Sequence, residues 1–295
     1  MYIKITDVNK TIKKAPILRD INLEFTGGKV YGLRGKNGSG KTMLMRAICG
    51  LITPDSGIID INGKILGKDI SFPESIGVLI ENPAFIGNYT GFKNLKVLAS
   101  IQNRIGDEQI RKALEDIGLD PDDKRTYRKY SLGMKQRLAI ARALLLDPAF
   151  IVADEPVSAL DVSVQAQILN LLMDLRETFS LTMLFISHEM TVVRHLCDQV
   201  AVMYLGTVVE QADSEELFRN LLHPYTQSLM SAIPTLDPDH KKQRIVLQGD
   251  IPSAIDLPKG CPFADRCPQC QAQCKESRPP LRDVGGGHLV ACHLV

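Results

Sequence analysis

Gly35-Lys36-Asn37-Gly38-Ser39-Gly40-Lys41-Thr42 decides the reading of this chain. An apolar run, Val30 to Leu33, precedes it; a helical segment, Thr42 to Ile48, follows and is closed by Gly50. Glycines at these places let the backbone wrap closely and aim N–H groups at phosphate oxygens, reinforced by the N-terminus of the helix. The spacing is that of a P-loop, whose lysine reaches the β- and γ-phosphates and whose hydroxyl ligates Mg²⁺. Lys41 and Thr42 hold those two places. The bland alternative, a glycine-rich turn that happens to precede Lys-Thr, does not account for a strand before it and a helix after it.

Such a site needs a carboxylate to support the metal, and Phe150-Ile151-Val152-Ala153-Asp154-Glu155 offers a buried strand ending in two. Alternation and position give Asp154 to the Mg²⁺ and Glu155 to the attacking water. An apolar run ending in Asp-Glu is a weak signal by itself; its weight comes from pairing with the P-loop. Around it the pattern alternates strand and helix. Val164, Ile168, Leu171, Leu172 and Leu175 stripe one helix face, Leu181 to Ile186 forms another apolar run, and a helix starts at Glu189. This alternation predicts a parallel sheet covered by helices.

Upstream the texture differs. Ile21, Leu23 and Phe25 alternate with Asn22 and Glu24, and Asn62-Gly63 signals a hairpin between Ile58–Ile61 and Ile65. Residues 90 to 145 read as helical, with Ile110, Ala113, Leu114 and Ile117 at helical spacing and Gly118 as a stop. The expected fold class is α/β.

Composition narrows the function. The 295 residues carry 35 Lys+Arg against 34 Asp+Glu, a net charge of +1, with 44% hydrophobic residues. That balance opposes a dedicated nucleic-acid binder, and the hydrophobic content opposes intrinsic disorder. No stretch reaches the ~18 consecutive apolar residues of a membrane span, and the N-terminus shows no secretory h-region. A soluble, cytosolic protein is expected.

Three further segments narrow the nucleotide site to a family. Tyr130-Ser131-Leu132-Gly133-Met134-Lys135-Gln136-Arg137 precedes the Asp-Glu strand, Ser158-Ala159-Leu160-Asp161 follows it, and Ser187-His188 ends the next strand. In this order the set resembles the nucleotide-binding subunits of ABC transporters, across residues 1–235. The resemblance implies a P-loop NTPase with a RecA-like core, an antiparallel β portion and a helical subdomain at about 82–145. It also implies a head-to-tail dimer with a second ABC ATPase subunit, each ATP lying between one P-loop and the other subunit's signature segment. On that reading Ser131 and Gly133 act in trans, Asp161 sits at the dimer seam, and His188 senses the γ-phosphate. The bland readings are a helix cap for Ser131 and an ordinary polar residue at a strand end for His188.

The chain departs from the family pattern in places. The signature has Tyr130-Ser131-Leu132-Gly133-Met134 where Leu-Ser-Gly-Gly-Gln is usual. Glu81 stands where a metal-linking glutamine is usual, and Ile12 where an aromatic usually stacks on adenine. Residues 1 to about 137, including Gly77-Val78-Leu79-Ile80-Glu81-Asn82-Pro83, resemble exporter ATPases of the bacteriocin-immunity and multidrug type. From about 154, Glu155-Pro156-Val157-Ser158-Ala159-Leu160-Asp161-Val162-Ser163-Val164-Gln165 and His223-Pro224-Tyr225-Thr226 resemble the oligopeptide and dipeptide importers. A mosaic joined between 130 and 150 and natural divergence both fit this division. The favoured function is ATP hydrolysis that energises peptide import. An exporter ATPase and a soluble ABC protein acting on DNA or ribosomes are the alternatives. Transmembrane permease subunits are the implied partners, with a substrate-binding protein for import and no nucleic acid. The implied place is the cytoplasmic face of the membrane.

After Pro234 the periodicity stops, which predicts a boundary near 235 and a Cys-rich extension over 236–295. Of seven cysteines, Cys49 and Cys197 sit in apolar surroundings, whereas Cys261, Cys267, Cys270, Cys274 and Cys292 crowd the end. The extension resembles that of the peptide-importer subunits, which in some members is associated with an iron–sulfur cluster. Cys261, Cys267, Cys274 and Cys292 would supply the four thiolates of a [4Fe–4S] cluster; zinc and simple reduced thiols are the alternatives. Cys270 is surplus, and His288 and His293 are weaker candidate ligands.

Overall fold

The computed structural model describes residues 2–80, 84–102, 104–232, 245, 247, 249 and 258–295. They fall into two units, Met1–Phe25 with Val30–Phe72 and Ser187–Val295, and Thr26–Lys29 with Pro73–Ile186. The first unit opens with β1 (Ile3–Ile12), β2 (Ala15–Phe25), β3 (Val30–Arg34), α1 (Lys41–Ile48), β4 (Ser56–Ile61) and β5 (Lys64–Ile65). The second carries β6 (Ile76–Leu79), α2 (Gly91–Gln102), α3 (Asp107–Asp116), α4 (Leu132–Leu144), β7 (Phe150–Asp154), α5 (Val162–Phe179) and β8 (Thr182–Ile186). The first unit is completed by α6 (Met190–Leu196), β9 (Gln199–Tyr204), β10 (Thr207–Asp213), α7 (Ser214–Arg219) and α8 (Pro224–Ser231). It ends in α9 (Ala272–Glu276), β11 (Arg282–Asp283) and β12 (Leu289–Val290). The expected 235 boundary lies outside the described residues.

Alternation builds the antiparallel portion of the first unit, in the order β2-β1-β4-β5. Ile3 faces Phe25 and Ile5 faces Leu23, and all four are buried, so one face of the pair is apolar. The hairpin turns at Asn62 (φ 52°) and Gly63 (φ 80°), the positive pair that matches strand twist in a two-residue loop. β3 pairs in parallel with β9, placing Leu33 opposite Ala201. β9, β10, β12 and β11 continue antiparallel.

The C-terminal strand is anchored by a buried carboxylate. Glu210 accepts the N–H groups of Leu222 (2.8 Å) and His223 (3.1 Å), and its Oε1 lies 2.9 Å from His288 Nε2. With Glu210 fully buried, His288 is one of three partners that satisfy its carboxyl group away from water. His288 is therefore committed to Glu210. His293 is likewise engaged, through Nε2 and the carbonyl oxygen of Ser277 at 2.9 Å.

In the second unit β6, β7 and β8 are parallel, with Gly77 opposite Ile151 and Ile151 opposite Met183. β7 and β8 are buried on both faces, which explains their unbroken apolar runs. Gly77 lets α4 approach: a Cβ there would collide with the carbonyl of Ala143. In α5 the buried face consists of Ile168, Leu172 and Leu175. Val164 and Leu171, expected in that stripe, are only half-buried. Among the described residues no helix is long and apolar enough to cross a membrane.

Candidate nucleotide site

The P-loop runs from the end of β3 into α1. Gly40, the residue before α1, has φ 102°, a backbone state that L side chains rarely adopt. A Cβ on it would also lie 2.9 Å from the carbonyl oxygen of Ile17. At Gly35 a Cβ would collide with the Met203 carbonyl and the Ser39 hydroxyl. Gly38 has φ 81° with open space beside it. Glycine is thus required at two of these places by contact and at two by conformation.

Lys41 is buried, and its Nζ donates to the carbonyl oxygens of Gly35 (2.7 Å) and Lys36 (3.2 Å). Ser39 Oγ is buried with no hydrogen-bond partner among the described residues. A glycine cradle, a buried hydroxyl and a buried cation form a donor set that suits a polyphosphate. Thr42 follows at the start of α1, where its hydroxyl fits the metal-ligand role. Nearby, Arg34 Nη1 donates to the carbonyl oxygen of Ser187 (3.2 Å), Ser187 Oγ accepts the Glu189 N–H (3.0 Å), and His188 is exposed.

In the second unit Asp154 ends β7 opposite Ile186. Glu155 steps out of the strand with φ 48°, strained for a non-glycine residue. Its N–H donates to the Ile186 carbonyl (2.9 Å), and its own carbonyl accepts from Ser158 Oγ (3.2 Å). Both carboxylate residues are half-buried. Ser131 caps α4, its Oγ accepting the Met134 N–H at 3.2 Å. Gly133 is held close to α5, where a Cβ would lie 2.9 Å from Val164 Cγ1. Asp161 caps α5, and the Val164 N–H (3.0 Å) together with the Ser163 hydroxyl holds its carboxyl below the usual carboxylate range. Ile12 is 38% exposed at the end of β1, and Glu81 lies outside the described residues.

One residue of the site escaped the sequence reading. The hydroxyl of Tyr225, in α8, accepts the backbone N–H of Lys36 at 3.1 Å. Only its place in His223-Pro224-Tyr225-Thr226 singled it out, and that marked a branch of a family rather than a contact.

Four of the extension's cysteines, Cys261, Cys267, Cys274 and Cys292, interact electrostatically with one another. Burial pushes the Cys261 thiol up to about 11, and Cys274, Cys292 and Cys267 add to the shift electrostatically. Yet among the described residues no group of three or more His, Cys, Asp or Glu is arranged to hold a metal ion. Cys49 and Cys197 are buried as expected, and burial raises Cys49 to about 12.

Comparison with known proteins agrees with this geometry. The sequence profile of the ABC transporter family matches residues 18–158, and that of the oligopeptide/dipeptide transporter C-terminal region matches residues 209–274. A putative peptide import ATP-binding protein of Brucella ovis is 42% identical over 290 residues, covering 94% of this chain and 91% of that protein. The di/tripeptide transport ATP-binding protein DppF of Pseudomonas aeruginosa is 38% identical, covering 94% and 89%. Among solved structures, cbiO1 of Clostridium perfringens, part of the ABC transporter complex cbiONQ, has a TM-score of 0.68 at 26% identity over 74% of this chain and 91% of that one. A dimeric ATP-binding cassette in a post-hydrolysis state, bound to ADP and Pi, has a TM-score of 0.63 at 25% identity over 72% of this chain and 98% of that one. The chain belongs to the ATP-binding proteins of ABC transporters, in the branch that carries the oligopeptide/dipeptide transporter C-terminal region.

Proposed function

We propose that this protein binds and hydrolyses ATP to energise a membrane importer of oligopeptides or dipeptides. The observation that carries the reading is the P-loop, where glycine geometry, the Ser39 hydroxyl and the buried Lys41 ammonium form a cradle suited to a polyphosphate. The import assignment rests on the relatives, which carry peptide-import and peptide-transport names along nearly the full chain. The Brucella ovis alignment, 290 residues long, spans both stretches whose family resemblances differ.

In this reading residues 1–235 form the nucleotide-binding domain, 82–145 its helical subdomain and 236–295 the extension. Backbone N–H groups of the loop and Lys41 orient the β- and γ-phosphates. Thr42 and Asp154, with Glu81, would hold Mg²⁺, which when bound offsets phosphate charge as the γ-phosphoryl departs. Glu155 accepts a proton from the attacking water, His188 contacts the γ-phosphate, and Ser131 and Gly133 serve the partner subunit's nucleotide across a seam marked by Asp161. The protein docks on permease subunits at the cytoplasmic face of the membrane, with a substrate-binding protein supplying peptide from the other side. Cys261, Cys267, Cys274 and Cys292 are the candidate ligands of a [4Fe–4S] or zinc site, and no step depends on them.

The test is phosphate release by the purified protein alongside Glu155→Gln and Lys41→Ala. Glu155→Gln should retain nucleotide and lose turnover about 100-fold or more, as loss of a general base does. Undiminished release by Glu155→Gln, with contaminating ATPases excluded, would show that another residue is the base.

A further inference from the structure

The Cys-rich extension reaches the nucleotide loop through a short chain of contacts. The peptide between Gly35 and Lys36, the first two residues of the loop, is fixed on both sides: its N–H, that of Lys36, donates to Tyr225 Oη (3.1 Å), while its carbonyl oxygen, that of Gly35, accepts from Lys41 Nζ (2.7 Å). The peptide that parks the phosphate-binding ammonium is therefore the one that Tyr225 pins.

Tyr225 is in turn immobilised by aromatic packing. Its ring lies 4.6 Å from that of Tyr204 and 5.4 Å from that of Phe263, and Phe263 meets Tyr204 edge-on at 5.2 Å. His223 completes the cluster at 5.9 Å from Phe263. All four side chains are buried. Phe263 belongs to the extension and lies two residues past Cys261, whose N–H donates to the Cys274 carbonyl at 2.7 Å. Close packing of this kind transmits displacement, because a buried ring cannot shift without its neighbours.

We propose that Tyr225 is a positioning residue for the P-loop and that Phe263 holds it in place, so that the extension sets the affinity of the nucleotide site. The inference rests on the ATP-binding reading of that loop. Both rings act through the Gly35–Lys36 peptide. Tyr225→Phe removes only the hydroxyl and leaves the cluster packed, and Phe263→Leu removes the ring that presses on Tyr225 while keeping an apolar side chain.

The experiment measures ADP affinity by calorimetry and the ATP KM and kcat of the full-length protein, for parent, both single variants and the double variant. Tyr225→Phe should weaken ADP binding and raise KM about fivefold, the scale of one hydrogen bond, with kcat within about twofold of the parent. Phe263→Leu should shift both in the same direction by about threefold. In the double variant the effect should remain about fivefold, since two residues acting through one contact are not additive. Multiplying effects in the double variant, a fall in kcat with KM unchanged, or ADP affinity unchanged in Tyr225→Phe would each overturn the proposal. Absence of ADP binding by the parent would overturn the site reading with it, whereas a parent that binds and a Tyr225→Phe that binds equally well would overturn this inference alone.

Discussion

The Lys41 ammonium lies 2.7 Å from the carbonyl oxygen of Gly35, so the cation of the loop is held by the residue that opens it. Carbonyl dipoles are weaker partners for a buried ammonium than anionic phosphate oxygens would be. An incoming β- or γ-phosphate would exchange a dipole contact for a charged one at little reorganisation cost.

Lys41→Ala should therefore lose about 10- to 100-fold in ADP affinity, the scale of about 1.5–3 kcal/mol for one charge-assisted hydrogen bond. Lys41→Arg should not restore it, because a planar fork does not fit where a compact ammonium meets two carbonyls of one turn. Calorimetric titration of the folded variants with ADP decides this; full affinity in Lys41→Arg would show that charge alone suffices.

Glu155 carries a conformational cost. At φ 48° its Cβ sits in the left-handed region, about 1–2 kcal/mol unfavourable for a non-glycine residue. Glu155→Gly should consequently be more stable to urea than Glu155→Ala by about 1 kcal/mol, reversing the usual order of glycine and alanine. Both should be inactive in phosphate release. An alanine variant at least as stable as the glycine variant would mean that the backbone there is unstrained.

Much of this arrangement was legible in the chain because it is local. A P-loop is eight consecutive residues, and its glycine conformations follow from their spacing; the Asn62-Gly63 turn and the cap at Ser131 are equally short-range. The long-range contacts were not legible. Tyr225 and Lys36 are 189 residues apart and Glu210 and His288 are 78 apart, and no periodicity connects either pair. His288 read as a spare ligand because a histidine near cysteines looks alike whether it faces a metal or a buried carboxylate. In α5 the error was one of face, since Val164 in the first turn rides at the edge of the buried stripe.

Ser131 has an observed role and a proposed one to separate, a cap within its own chain and, on the proposed reading, a contact to nucleotide in the partner subunit. Ser131→Ala should cost about 1 kcal/mol by leaving the Met134 N–H without its acceptor. Ser131→Asp preserves the acceptor and, at the N-terminus of α4, adds a favourable charge-dipole term, so its urea midpoint should match or exceed the parent. Its carboxylate would nonetheless repel a γ-phosphate, and ATP turnover should fall at least tenfold. A stable Ser131→Asp with full turnover would leave the serine as a cap alone.

His223 predicts how the protein responds to acid. Its Nδ1 accepts the Tyr225 N–H at 3.0 Å, which requires a neutral imidazole with the proton on Nε2. Burial pushes its pKa down from 6.5 to about 3. The folded state thus refuses a proton that the unfolded chain takes up once the pH drops below about 6.5. Stability from this group is complete above that value and is lost progressively as pH falls toward about 3, with a limiting slope of about 1.4 kcal/mol per pH unit. Protonation at Nδ1 would also remove the acceptor that caps α8, the helix that carries Tyr225 to the loop. Asparagine keeps a cap acceptor without titrating, so His223→Asn isolates the effect. At pH 7.5 the parent should be more stable than His223→Asn in urea, and the gap should shrink by about 2 kcal/mol on going to pH 5. A gap that stays constant between those two pH values would mean that His223 takes up its proton in the folded protein as readily as in the unfolded chain.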